Sequence, residues 1–179
     1  MYERRARDAW PGAGFLRCRH ASTVIRIALA DDAEGIAEVM RDAFSPYEQR
    51  YTARAYRATV PDPDGVRQRM AQGPVWVAVH SGAVVGTAAA VLEPVGCYIR
   101  GMAVHRAARG LGLGRQLLSA IEEHARQRGE ERLYLSTTPF LDRAIALYER
   151  FGFQRVAGGP SDLHGTPLMT MEKRLDVRP

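Results

Sequence analysis

Apolar positions along this chain recur at two spacings, and the switches between them mark an alternation of strands and helices. Val24, Ile25 and Ile27 make a short strand between Thr23 and Ala28. Ile36, Val39, Met40, Ala43 and Phe44 then fall at helical steps, behind Asp31 as N-cap and Glu34 as its capping-box partner, with Ser45-Pro46 as the stop. Pro61 to Gly65 reads as a turn cluster before a short helical stretch through Val66 and Met70. Pro74–Val79 and Ala83–Leu92 are β-rich runs about His80-Ser81-Gly82, a hairpin in which His80 is a solvated turn residue. Ile99–Val104 makes a fourth strand. Leu113, Leu117, Leu118, Ile121 and Ala125 stripe a helix closed by Gly129, with Glu122 and Arg126 able to pair on its other side. Leu133–Thr137 is a fifth strand, and Thr138-Pro139 looks like an N-cap with proline in the first turn. Leu141, Ala144, Ile145, Tyr148 and Phe151 carry the last helix to Gly152; Gln154–Val156 and Pro167–Met171 finish the sheet around a flexible loop, Gly158–Gly165.

The chemistry concentrates where the fourth strand runs through Arg109, Gly110, Leu111, Gly112, Leu113, Gly114 and Arg115 into a helix. Glycines at alternate positions let backbone N–H groups point outward. The first amides of the helix lack intrahelical partners and lie at the positive end of its dipole, so a phosphate is the favoured guest. A Walker loop would need Gly-Lys-Ser/Thr five residues after Gly110, where Arg115 stands. A dinucleotide fingerprint fails too, because Arg115 follows Gly112 by three and Leu117 follows Gly114 by three.

The chain's 179 residues, 46% of them hydrophobic, suit one domain with one sizeable core. We expect that domain at residues 23–175, after a basic, flexible arm at 1–22. No bilayer-length apolar run and no secretory block is present, so a cytoplasmic protein without membrane contact is expected. Cys18 and Cys97 cannot build a disulfide framework, and Cys97 reads as a small buried thiol. The net charge of +5 rests on arginines scattered along the chain, with Lys173 the only lysine. That distribution argues against nucleic acid and suits attraction of an anionic cofactor. No His, Cys or carboxylate spacing suggests a metal.

The motif Arg-x-x-Gly-x-Gly, filled by Arg109, Gly112 and Gly114, resembles the acetyl-CoA pyrophosphate loop of the GNAT N-acetyltransferase superfamily. Met102, Val104, Arg109 and Gly110 continue the likeness upstream, with Arg106 where proline is usual. A second block, Ala144 to Phe153, is similar to the family's Ala-x-x-Leu-Tyr-x-x-x-Gly-Phe, although Leu141 stands where asparagine is frequent. The resemblance covers Thr23 to Lys173. It implies an α/β fold with a mixed, mostly antiparallel sheet of about six to seven strands flanked by about four helices. It further implies acetyl-CoA as co-substrate, held by Met102, Ala103, Val104 and the loop from Arg109 to Arg115.

By the same resemblance, the reaction is transfer of an acetyl group to a primary amine in a ternary complex, without a covalent enzyme intermediate. The acceptor is a small molecule or a peptide N-terminus. Tyr148 is the expected general acid, since an unperturbed phenol keeps its proton at neutral pH. Glu93, just past the third strand, could serve as base directly or through water, and Tyr98, Arg100 and Met102 are expected to share one strand face toward the cleft. Tyr47, Tyr51 and Tyr56 interleave with Arg50, Arg54 and Arg57; they read as a solvated helix face, or, by resemblance, as an acceptor lining. A non-catalytic acyl-CoA-binding module is the alternative reading, and a homodimer is compatible with either.

Overall fold

A computed structural model describes residues 23–176, so the expected arm at 1–22, including Cys18, lies outside the described residues. Strands β1 (Thr23–Ile27), β2 (Val75–His80), β3 (Ala83–Glu93), β4 (Gly96–Val104), β5 (Arg132–Thr137), β6 (Gln154–Val156) and β9 (Met169–Arg174) form one sheet in the order β1-β2-β3-β4-β5-β9-β6. Only β4 and β5 run parallel. Between β6 and β9, β7 (Asp162–Leu163) and β8 (Thr166–Pro167) make a small separate hairpin. Among the described residues, five α-helices accompany the sheet, in keeping with the expected fold: α1 (Ala33–Phe44), α2 (Ala53–Thr59), α3 (Pro63–Met70), α4 (Leu113–Gln127) and α5 (Asp142–Phe151).

The central strands are rich in alanine and valine because both sheet faces are covered. On one face, Ile36, Val39 and Met40 of α1 and Val66 of α3 pack over Val75, Val77 and Ala89. On the other, Leu117, Leu118 and Ile121 of α4 and Ile145 of α5 pack over Ala88, Ala90, Ile99, Leu133 and Leu135. Full burial of side chains such as Leu117, Leu118 and Ile121 stabilises the fold by about 2 kcal/mol each.

Local rules are redistributed at several junctions. Asp32, not Asp31, is the N-cap residue of α1, yet its side chain turns back from the helix: its carboxylate accepts the Leu29 N–H at 2.7 Å and grips Arg26 through two hydrogen bonds of 2.6 and 2.9 Å. Within the expected turn cluster, Asp62 and Pro63 instead begin α3, with the Asp62 carboxylate accepting the Gly65 N–H at 2.8 Å. Thr138-Pro139 is a turn, closed by the Leu141 N–H on the Thr138 carbonyl, and α5 starts later, at Asp142. His80 ends β2 and its Nδ1 lies 2.8 Å from Thr23 Oγ1, tying the edge strand β1 to its neighbour. The loop around Gly158–Gly165 is anchored, because the Thr52 N–H donates to Thr166 Oγ1 at 2.9 Å and Thr52 Oγ1 donates to the His164 carbonyl at 2.8 Å.

Two irregularities set the geometry around the C-terminal half of β4. Its pairing with β5 covers only Cys97 to Ile99 against Leu133 to Leu135, so from Arg100 onward the strands diverge and that side of β4 lacks a strand partner. Its register with β3 also slips between Ala103–Thr87 and Arg100–Ala89, beside Gly101 at φ +60°. This is a bulge, and a bulge reverses the alternation of faces. Cys97 and Ile99 point toward α4 and α5, yet Ala103 points toward α1 and Met102 takes over the α4 side. The expectation that Tyr98, Arg100 and Met102 share one face is therefore corrected: Tyr98 and Arg100 face the α3 side, Met102 the α4 side.

Candidate active site

The divergence of β4 and β5 opens a cavity of about 950 Å³. Met102, Ala103 and Val104 form its floor, and Arg109, Gly110, Gly112, Leu113, Gly114 and Arg115 its phosphate-compatible end. The loop's backbone is built for close approach. Gly110 (φ +87°) has open space where a Cβ would stand, and Gly112 (φ +73°) has nothing nearer than Gln116 Nε2 at 3.9 Å. Gly112 is the N-cap of α4 and carries no side-chain cap, so the unpaired amides of the first turn are left for a ligand. Leu111 is 45% exposed and its side chain is not part of the cavity wall. Gly114 serves packing: a Cβ there would meet Leu147 Cδ2 at 2.7 Å, which is how closely α5 approaches the first turn of α4.

Tyr148 lines the cavity from α5 and is 6% exposed. Burial pushes its phenol well above the usual range, with Tyr51 and Tyr98 adding to the shift, so it holds its proton throughout the physiological range. Its ring rests on Phe153 at 5.9 Å. Leu141 also lines the cavity, and its side chain carries no polar atom.

Glu93 lies elsewhere. It ends β3 opposite Gly96, is exposed, accepts a hydrogen bond from the Tyr134 hydroxyl, and is not among the cavity-lining residues. Tyr98, which does line the cavity, stands 5.1 Å from Tyr134 ring to ring. His105 is buried beside Asp42, 3.7 Å from its carboxylate, and accepts the Ala107 N–H at 3.2 Å.

The other end of the cavity is aromatic and cationic. Tyr47 and Tyr51 line it, braced on Phe140 at 6.3 and 5.0 Å, whereas Arg50, Arg54 and Arg57 are exposed and outside the lining. The cations present there are Arg100, from β4, and Arg69, from α3. Sequence reading missed Arg69; the available signal was its position three residues after the buried Val66, which places both on one helix face.

A sheet split between two parallel strands, with a glycine loop at the N-cap of the helix beside the split and a buried phenol on the wall of the same cavity, is the arrangement that the sequence resemblance implies. Residues 34–153 match the Acetyltransferase (GNAT) family, and the chain belongs to it. It is 35% identical over 142 residues to the uncharacterized N-acetyltransferase YjgM of Escherichia coli, covering 75% of this chain and 84% of that one. It is also 41% identical over 103 residues to an IAA acetyltransferase of Azospirillum brasilense, covering 55% and 66%. The yncA protein of Salmonella typhimurium, whose structure holds its cofactor acetyl-CoA, superposes with a TM-score of 0.67 at 25% identity over 87% of this chain and 95% of that one. The chain is thus an acetyl-CoA-dependent acetyltransferase with the expected mixed, mostly antiparallel sheet. Among the described residues, no helix is long and apolar enough to cross a membrane.

Proposed function

We propose that the chain acetylates the primary amine of a small molecule by direct transfer, with Tyr148 as general acid. The observation that carries this reading is continuity: one cavity joins the glycine loop, the unpartnered side of β4 and the Tyr148 phenol. Acetyl-CoA supplies an activated acetyl thioester, from which the amine nitrogen takes the acetyl group as the carbon–sulfur bond breaks. The amides from Gly110 to Arg115 hold the pyrophosphate, with Arg109 and Arg115 adding charge. The backbone of Met102 and Val104, free on the β5 side, holds the pantetheine arm as a missing strand would, and a Met102 N–H at the split polarises the acetyl carbonyl.

Tyr148 gives its proton to the departing sulfur. Burial keeps the phenol protonated, and so available as a donor, until the carbon–sulfur bond breaks beside it. Glu93, outside the cavity, receives the amine's proton only through water. The size of the cavity, which must also hold the donor, favours a small acceptor over a folded protein terminus.

Tyr148→Phe tests the assignment. Turnover should fall by about 10²–10⁴-fold while acetyl-CoA affinity stays within twofold. Unchanged turnover would remove Tyr148 from the chemistry. Absence of turnover in the wild type with any amine, despite tight acetyl-CoA binding, would favour the non-catalytic module.

A further inference from the structure

Six arginines line the cavity, Arg69, Arg100, Arg109, Arg115, Arg143 and Arg150, and none of its described lining residues is acidic. Four of the six gather at the cofactor end. Arg109 and Arg115 belong to the glycine loop, and Arg143 and Arg150 flank Leu147, the α5 residue that packs on Gly114. Arg69 and Arg100 are left over.

These two occupy the acceptor end. Arg69 Nη1 lies 3.8 Å from where a Cβ on Gly101 would stand, so its guanidinium sits over the β4 bulge. Arg100 donates from Nη2 to the Arg69 carbonyl at 3.3 Å and to Gln72 Oε1 at 2.6 Å, while its buried Nε has no hydrogen-bond partner. Arg69 donates to the Ala58 carbonyl. Among the described residues neither guanidinium has a carboxylate within 4.0 Å, although seven other arginine and lysine side chains do. Two partly buried guanidinium groups repel each other, and Glu93, the carboxylate whose charge reaches Arg100, lies outside the cavity lining, so an anion supplied by a ligand inside the cavity would offset their cost. Burial, reinforced in Arg69 by Arg100, draws both below their usual range.

We propose that Arg69 and Arg100 form a carboxylate subsite, so the preferred acceptor is a small amine that also carries a carboxylate, of the amino-acid class, with an apolar or aromatic body. Planar guanidinium groups match a carboxylate through paired N–H donors. Tyr47, Tyr51 and Tyr98 form the wall for the acceptor's body. A polyamine would bring further positive charge into a cavity that has no acid to receive it. This inference rests on the acetyl-transfer reading above.

The experiment compares matched acceptors, L-phenylalanine against phenethylamine, with spermidine as the polycation. Alongside, calorimetry on the CoA-loaded protein compares N-acetyl-L-phenylalanine with its neutral amide, a readout that needs no turnover. We expect kcat/KM at least about 30-fold higher for the carboxylate-bearing amine and measurable binding only for the carboxylate product. Arg100→Gln should raise the acceptor KM about tenfold or more, leave the acetyl-CoA KM unchanged and abolish the preference, with partial rescue in Arg100→Lys. Equal use of both amines, preference for spermidine, or failure of the carboxylate product to bind would overturn the subsite while leaving acetyl transfer standing. Loss of acetyl-CoA binding itself would instead refute the underlying reading.

Discussion

Gly112→Asp places a carboxylate where the donor's pyrophosphate is expected, and the structure lets its effects on binding and folding be separated. The left-handed φ of +73° costs a non-glycine residue about 1 kcal/mol, least for Asp and Asn. A Cβ there finds open space, with the nearest atom, Gln116 Nε2, at 3.9 Å. A carboxylate at the N-cap of α4 also recovers roughly 0.3–1 kcal/mol from the helix dipole. The fold should therefore lose about 1 kcal/mol or less, a melting shift of roughly 2–4 °C. Binding is another matter. Like charges about 4 Å apart at an effective dielectric near 20 repel by about 4 kcal/mol, close to a 10³-fold loss of affinity. Titration calorimetry with acetyl-CoA should show that loss for Gly112→Asp and about tenfold or less for Gly112→Asn, which has the same shape without the charge. Equal weakening by both variants would mean that bulk, not charge, closes the loop. No weakening by either would refute the loop as the phosphate cradle.

Two further outcomes rest on burial. Cys97 is fully buried and its thiol is pushed up to about 11, by burial first and then by Glu130. The folded chain keeps this proton after the unfolded chain, whose thiol titrates near 9, has lost it. The contribution is therefore complete below about pH 9 and falls away toward pH 11, by about 3 kcal/mol at roughly 1.36 kcal/mol per unit. Chemical denaturation across pH 8–11 should show this decline in the wild type and a shallower one in Cys97→Ala; parallel curves would exclude the thiol as the cause. Gly73→Ala should cost about 3 kcal/mol, or roughly 6–12 °C in melting temperature, because a Cβ there would stand 2.3 Å from the Ala90 carbonyl oxygen. A shift under about 2 °C would show that β3 yields at that point.

The features legible in the sequence and those hidden from it divide along the range of the forces involved. The apolar stripes of α1, α4 and α5 are set by residues three and four apart, and the buried sides observed are those the stripes indicate. The glycine loop is legible because its geometry needs particular residue types at fixed offsets. The facing of β4 is not. Simple alternation puts Arg100 with Met102, and only the register against β3, ten or more residues away in sequence, shows that Gly101 reverses it. Proline in a first helical turn is a good local rule, yet Pro139 belongs to the turn that precedes α5. Glu93 is suggested by its nearness along the chain to the site, whereas its position opposite Gly96 sets it at the far end of the β3–β4 pair from Val104.

The charge pattern shows most clearly why chemistry read in order along a chain differs from chemistry in space. The arginines look dispersed in sequence, and their dispersion argues against a nucleic-acid surface. Folding then brings six of them, from α3, β4, the glycine loop and α5, to the wall of one cavity with no described acid among the lining residues. A positive cleft concentrates small anions far better than the same charges spread over a surface. It also disfavours an ammonium ion, so an amine bound there loses its proton more readily than in water. In the proposed transfer, the arrangement that attracts the donor's phosphates also favours the neutral amine over its ammonium form, which lessens the demand on the base proposed at Glu93, outside the cavity lining.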